Sequence, residues 1–148
     1  MARILVKFGL ILVAVLIADQ LVKQLFIDGF RWRGDYFSLV LAYNDGVAFS
    51  LFAKLGWTLK FIQLGLIILI ALYLAYEKKF LQHHFIALGL IFGAGISNLL
   101  DRFVHGGVVD YLYWHRWFSF PIFNLADVII NIGVALIILN ELFFKKSS

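Results

Sequence analysis

Trp57–Tyr76 reads WTLKFIQLGLIILIALYLAY. A hydrocarbon core of roughly 30 Å needs about 20 helical residues, and this run is long enough to cross it. Three other stretches match it, at about residues Phe8–Ile27, His84–Val104 and Phe123–Phe144. In lipid every backbone N–H and C=O must be satisfied within the protein, so each run is predicted to be a helix; no alternating ten-residue pattern suggests a barrel. Composition agrees: of 148 residues, 63% are hydrophobic, 18% aromatic and 15% charged. A soluble domain of this size cannot hide that much apolar surface. The expected fold class is an all-α membrane protein with four transmembrane helices, forming a single integral membrane domain over residues 1–148.

The same composition excludes several function classes. With no cysteine, there is no disulfide framework, thiolate nucleophile or cysteine metal site. The net charge of +4 comes without any basic cluster longer than two adjacent residues, which argues for a membrane surface rather than nucleic acid. Arg3 and Lys7 ahead of Phe8–Ala18 resemble the start of a cleaved signal peptide. Apolar sequence resumes after Asp19-Gln20 with no A-x-A-like site, so the first span is expected to be retained.

Four spans put the N-terminal tail, the turn Glu77–His83 and the C-terminal tail on one side. These short segments carry Arg3, Lys7, Lys78, Lys79, Lys145 and Lys146, whereas Arg31, Arg33, Lys54 and Arg116 are spread over two longer loops. Charge density therefore places both termini in the cytoplasm. The outer loops, at about residues 28–56 and 105–122, hold the remaining material. In the first, Tyr36–Tyr43 (YFSLVLAY) lies between Gly34-Asp35 and Asn44-Asp45-Gly46. It reads as a strand bounded by turns, so a small sheet is expected on the outer face. Gly34, Gly46, Gly56, Gly106 and Gly107 are candidate hinges in these loops. In the third span, Gly89, Gly93 and Ser97 recur every four residues, a spacing that lets helices approach closely in lipid.

Ionisable groups in or beside a span are costly in lipid and so mark structure or function. Asp19 and Lys23 are four apart on the first span and face the same way; the expected role is an ion pair near the outer end, with substrate contact as the alternative. Asn98, Asp101 and Arg102 share a face of the third span. Asp101 and Arg102 read as an ion pair or helix-end anchor, and the Arg102 fork also suits a carboxylate or lipid phosphate. Asp110 follows Gly106-Gly107-Val108-Val109, read as a turn returning the chain to the membrane beside the interfacial aromatics Tyr111, Tyr113 and Trp114. Asn124, Asp127 and Asn131 form one polar stripe on the fourth span, beginning at the same depth as Asp110.

Asp110 and Asp127 are thus expected to meet in a poorly hydrated cleft. Two carboxylates held close cannot both ionise cheaply, so the pair keeps one proton near neutral pH and titrates as a unit. One can then take a proton from water while the other donates to a carbonyl oxygen or leaving nitrogen, the logic of an aspartic protease. A proton relay in a carrier uses the same residue type, and a non-catalytic subunit could use the polar stripes as helix glue, so pairing alone leaves these open. Four spans without a repeat or broken helix pair speak against the carrier. His83, His84, His105 and His115 lack H-E-x-x-H spacing and suggest no zinc site. Ser50, Ser97 and Ser119 lack a G-x-S-x-G context, and Gly93-Ala94-Gly95 lies inside a span, where it is no phosphate loop.

Five ordered blocks carry a resemblance. Asp19-Gln20-Leu21-Val22-Lys23, Asn44-Asp45-Gly46-Val47-Ala48-Phe49-Ser50, Asn98-Leu99-Leu100-Asp101-Arg102, Gly107-Val108-Val109-Asp110-Tyr111 and Phe123-Asn124-Leu125-Ala126-Asp127 resemble those of the lipoprotein signal peptidases, the bacterial type II signal peptidases. The resemblance covers nearly the whole chain. It implies removal of the signal peptide from diacylglyceryl-modified prolipoproteins, on the N-terminal side of the lipidated cysteine, at the outer face of the bacterial cytoplasmic (inner) membrane. It implies a catalytic dyad of Asp110 and Asp127 with no metal or other cofactor, and a cleft shaped by Asn44, Gly46, Asn98, Arg102, Asn124 and Ala126. Asp19, Lys23 and Asp101 would support it, and the outer sheet would cradle the substrate. No nucleic acid or obligate protein partner is expected, and the chain is expected to act as a monomer in membrane lipid. Ser97 stands where the family usually has glycine, and Tyr111 where phenylalanine is common.

Overall fold

The computed structural model describes residues 1–46 and 53–144, without the side chains of 53–55 and 144. Val47, Ala48, Phe49 and Ser50 of the second block, and Lys145 and Lys146 of the C-terminal tail, lie outside the described residues.

Four helices are long and apolar enough to cross a membrane. They are built on α1 (Ala2–Ile27), α2 (Leu59–Tyr76), α3 (Lys78–Val104) and α4 (Leu125–Leu139), the last continued by a π-helical turn at Asn140–Phe144. The first expected span starts six residues late, because a helix needs no apolar residue to continue through Arg3 and Lys7. The expected turn Glu77–His83 is corrected more strongly. Only Glu77 separates α2 from α3, and Lys78, Lys79 and His83 are helical, with a kink at His84. The fourth helix begins at Leu125 rather than Phe123, since Asn124 is its extended N-cap.

Helix α3 is the hub, packing against each of the other three helices. More than half of its span is buried, whereas the other spans leave most of their surface for lipid. Small residues make this possible. A Cβ on Gly89 would come within 3.2 Å of the Phe8 carbonyl oxygen, and one on Gly93 within 2.6 Å of the Leu12 carbonyl oxygen. The stripe read from Gly89, Gly93 and Ser97 is therefore the seam with α1.

The expected sheet is present but is shared between the loop that joins α1 to α2 and the loop that joins α3 to α4. Its strands are β1 (Trp32–Arg33), β2 (Phe37–Asn44) and β3 (Val108–Trp114), antiparallel in the order β1-β2-β3. Residues 106–109, read as a turn, bend only at Gly106 (φ 80°) and Gly107, and Val108 and Val109 already belong to β3. Gly107 passes against β2, where a Cβ would sit 3.0 Å from the Asn44 carbonyl oxygen. Val108 and Val109 are β-branched and buried, which favours a strand against the helix ends over a surface turn. Tyr111 is likewise buried rather than interfacial. Its ring stacks on Phe26 of α1 at 4.1 Å.

Candidate active site

The register of the sheet places the first aspartate. Asp110 lies opposite Ala42, and Asn44 is two residues further along β2 on the same face. Its Nδ2 donates to Asp110 Oδ2 at 3.0 Å. The second aspartate is placed by a helix start. Asn124 and Asp127 form a capping box, the Asn124 Oδ1 accepting from the Asp127 N–H at 2.9 Å and Asp127 Oδ2 accepting from the Asn124 N–H at 3.2 Å.

Asn124 also joins the two. Its Nδ2 lies within hydrogen-bonding distance of Asp110 Oδ1 (2.7 Å), Asn98 Oδ1 (3.1 Å) and the Val109 carbonyl oxygen (3.3 Å). Asn98 in turn donates from Nδ2 to Asp127 Oδ1 at 3.0 Å. Each carboxylate thus accepts from two amide donors. Burial drives the Asp110 carboxyl up to about 7, with the nearby charge of Asp127 adding to the rise and the bonds from Asn44 and Asn124 opposing it.

Both aspartates line one cavity of about 580 Å³. Asn44, Gln63, Asn98 and Arg102 form its polar side, and Phe120–Phe123, Val128 and Ile130 supply much of its apolar side. Arg102 does not pair with Asp101. Its Nε donates to Gln63 Oε1 at 3.0 Å, and its terminal nitrogen donates to the Gly46 carbonyl oxygen. Gly46 thereby anchors the end of β2 behind the cavity wall. Ala126 is not in the lining. It is fully buried in a core with Val15 and Ala94, so its part is to let α4 approach α1 and α3 beneath the cleft.

Under the cavity lies a buried ionic cluster. Lys23 spends its three ammonium protons on Asp19 Oδ2 (2.7 Å), Asp101 Oδ2 (2.6 Å) and Asn98 Oδ1 (2.8 Å). The remaining demand of the two carboxylates is met by Ser97 Oγ and the Ala126 N–H on Asp19, and by Gln20 Nε2 and the Val109 N–H on Asp101. Asp19, Lys23 and Asp101 thus form one ion cluster that ties α1 to α3, and through the Ala126 and Val109 N–H groups to α4 and β3. Gln20 and Gln63 had no expected role, although a glutamine in an apolar span is itself a signal of a polar partner. Ser97, read as a small residue of the helix seam and a departure from the family pattern, also contributes a hydroxyl to the cluster. Among the described residues no three His, Cys, Asp or Glu side chains gather as a metal site.

Comparisons with known proteins give the family of the chain. A family model described as Signal peptidase (SPase) II matches residues 11–143. The chain belongs to the signal peptidase II family. This is an aspartic peptidase family, and the two cavity carboxylates are the chemistry such a peptidase requires. Lipoprotein signal peptidases of Campylobacter jejuni and Wolinella succinogenes are each 52% identical over 134 residues, covering 90% of this chain and 86% and 91% of those relatives. One from Helicobacter pylori is 48% identical over 128 residues, covering 86% of this chain and 82% of that protein. A bacterial membrane enzyme solved by the in meso method at 2.3 Å resolution shares the fold, with a TM-score of 0.75 and 28% identity over 95% of this chain and 90% of that one. A second, solved at 1.9 Å, gives a TM-score of 0.71 at 30% identity, covering 93% of both. A membrane-embedded family member with four apolar helices fits a bacterial inner membrane.

Proposed function

We propose that this chain cuts the signal peptide from prolipoproteins whose cysteine already carries diacylglycerol, on the N-terminal side of that cysteine. Asp110 and Asp127 are the catalytic pair, sharing one proton. The ionised member takes a proton from water, the water oxygen bonds to the scissile carbonyl carbon, and the protonated member donates to the carbonyl oxygen. Collapse of the tetrahedral species breaks the C–N bond, with a proton passing to the leaving amine of the cysteine. Asn44, Asn98 and Asn124 hold the two carboxylates in place. Arg102 holds Gly46 and Gln63 beside them.

One observation carries this reading: two aspartates from different elements, a strand and a helix start, line a single cavity at one end of the spans. The cavity pairs a polar wall with an apolar one, as a lipid-modified peptide requires. A diacylated substrate stays in the bilayer, so the site belongs at lipid depth, and the density of basic residues around the termini supports an outer-face site with both termini cytoplasmic. Asp110 and Asp127 accept their hydrogen bonds from groups of this same chain, which supports a monomer acting without an obligate partner. The test is cleavage of a diacylated prolipoprotein in detergent by Asp110→Asn and Asp127→Asn, prepared separately. Each folded variant is expected to lose at least about 10²-fold in turnover. Near-normal turnover by either would end the dyad assignment.

A further inference from the structure

The polar stripe of α4 continues past the dyad. Asn131 sits one turn beyond Asp127, is exposed, and lines the cavity with Val128 and Ile130. Its Nδ2 donates to the Asp127 carbonyl oxygen at 3.0 Å. A carbonyl can only accept, so this contact decides the orientation of the amide: nitrogen against the helix, Oδ1 left over. Oδ1 takes no partner among the described residues. An amide oxygen in an apolar span is costly unless something in the cavity donates to it.

What donates follows from the proposed function, on which this inference rests. The apolar stretch of a signal peptide crosses the membrane as a helix and must be extended where it meets the dyad. Extension releases backbone N–H groups at membrane depth, where each needs a new acceptor. Asn131 lies about 6 Å deeper in the span than Asp127, four residues at the helical rise. An extended peptide covers that distance in about two residues. The esters of a diacylglyceryl group have no donor, so they cannot satisfy Oδ1.

We propose that Asn131 is a substrate-binding residue whose Oδ1 accepts a hydrogen bond from the backbone N–H of the second residue N-terminal to the scissile bond. The contact holds the unwound end of the signal helix in line with the dyad. It is indifferent to side chain, as an enzyme with varied signal peptides needs.

The test is a cross between enzyme and substrate variants, using a synthetic diacylated lipopeptide and a second lipopeptide with an ester in place of that one N–H. Asn131→Leu removes the acceptor in a position where an apolar side chain suits the span. Asn131→Thr keeps one, because its hydroxyl donates to the carbonyl four residues back and its lone pairs stay free. With the amide substrate, Asn131→Leu is expected to lose about five- to tenfold in kcat/KM, chiefly through KM, with an unchanged pH profile, and Asn131→Thr most of that less. The ester is expected to cost the parent enzyme a similar factor and to cost Asn131→Leu nothing further. Full activity of Asn131→Leu, or an equal ester penalty in both enzymes, overturns the assignment. Failure of the parent enzyme to cut the lipopeptide at all overturns the proposed function, and this contact with it.

Discussion

Asp19 accepts the backbone N–H of Ala126, the residue immediately before Asp127, at 2.9 Å. Asp101 does the same for Val109, the residue immediately before Asp110, at 3.1 Å. Each member of the proposed dyad is therefore preceded by a peptide group pinned to a buried carboxylate, and Lys23 joins the two pins. The fold reaches a defined distance between two aspartates on different elements by tying both to one ion cluster.

Lys23 is consequently the residue whose loss should spread furthest. Lys23→Met fits the volume but leaves Asp19 and Asp101 buried without a cation. Breaking a buried ion pair from one side costs about 3–5 kcal/mol, so a marked drop in thermal stability in detergent is expected. The triple change Asp19→Asn, Lys23→Met, Asp101→Asn removes the uncompensated charge and is expected to recover much of that stability. Recovery by the triple variant without recovery of cleavage would separate folding from positioning.

Asn124 combines two duties that a substitution can separate. As N-cap it accepts the Asp127 N–H, and from Nδ2 it reaches Asp110, Asn98 and the Val109 carbonyl. Serine caps a helix about as well as asparagine but has no second arm. Asn124→Ser is expected to keep the helix start and most of the thermal stability, while cleavage falls by about 10-fold or more through the loss of a charge-assisted bond to Asp110. Equal loss of stability and activity would mean that capping is all Asn124 contributes.

How much of this was legible in the chain depends on how local each feature is. The four spans were, because length and apolar content suffice. Asp19, Lys23, Asn98, Asp101 and Arg102 stood out as polar residues where lipid makes them expensive, and the Gly89–Gly93–Ser97 spacing pointed to the helix seam. Non-local facts were not legible. The pairing of β2 with β3 joins loops separated by two helices, so nothing local told that Asp110 sits on a strand opposite Ala42. Asp101 and Arg102 are adjacent in sequence, yet neighbouring helical residues point apart, and each found a partner on another element. The Asn124–Asp127 spacing was read as one face of a helix when it also matched a capping pattern, which shifts the helix start by two residues.

The α1–α3 seam makes a sharp contrast within α3. A Cβ on Gly93 would lie 2.6 Å from the Leu12 carbonyl oxygen and 2.9 Å from Val15 Cβ, whereas one on Gly95 meets nothing within 4 Å. Gly93→Ala is expected to force the helices apart and to cost about 1–3 kcal/mol. Gly95→Ala is expected to be neutral or to stabilise by up to about 1 kcal/mol through helix propensity. Thermal melts of the two variants in the same detergent check both, and similar melting points would show that the seam tolerates a methyl group.

The titration of Asp110 gives two expectations of defined sign. Its carboxyl is pushed up to about 7, chiefly by burial, and in the proposed mechanism the pair is active while it holds one proton. Cleavage should therefore fall on the alkaline side with an apparent midpoint near that value, which belongs to the pair rather than to either residue. Asn44 donates to Asp110 and opposes the rise. Asn44→Leu removes a donor that favours the ionised form, so the alkaline limb should move up by about one pH unit, alongside any fall in the maximum rate. A limb that stays in place or moves down would separate Asp110 from the observed titration. For stability, the folded value lies above the unfolded one of about 4. The contribution of this group is then fully present below about pH 4, declines as pH rises, and is lost once pH passes about 7. Asp110→Asn cannot ionise, so its melting temperature should lack that part of the decline, and melts of both proteins from about pH 4 to about pH 8 test it directly.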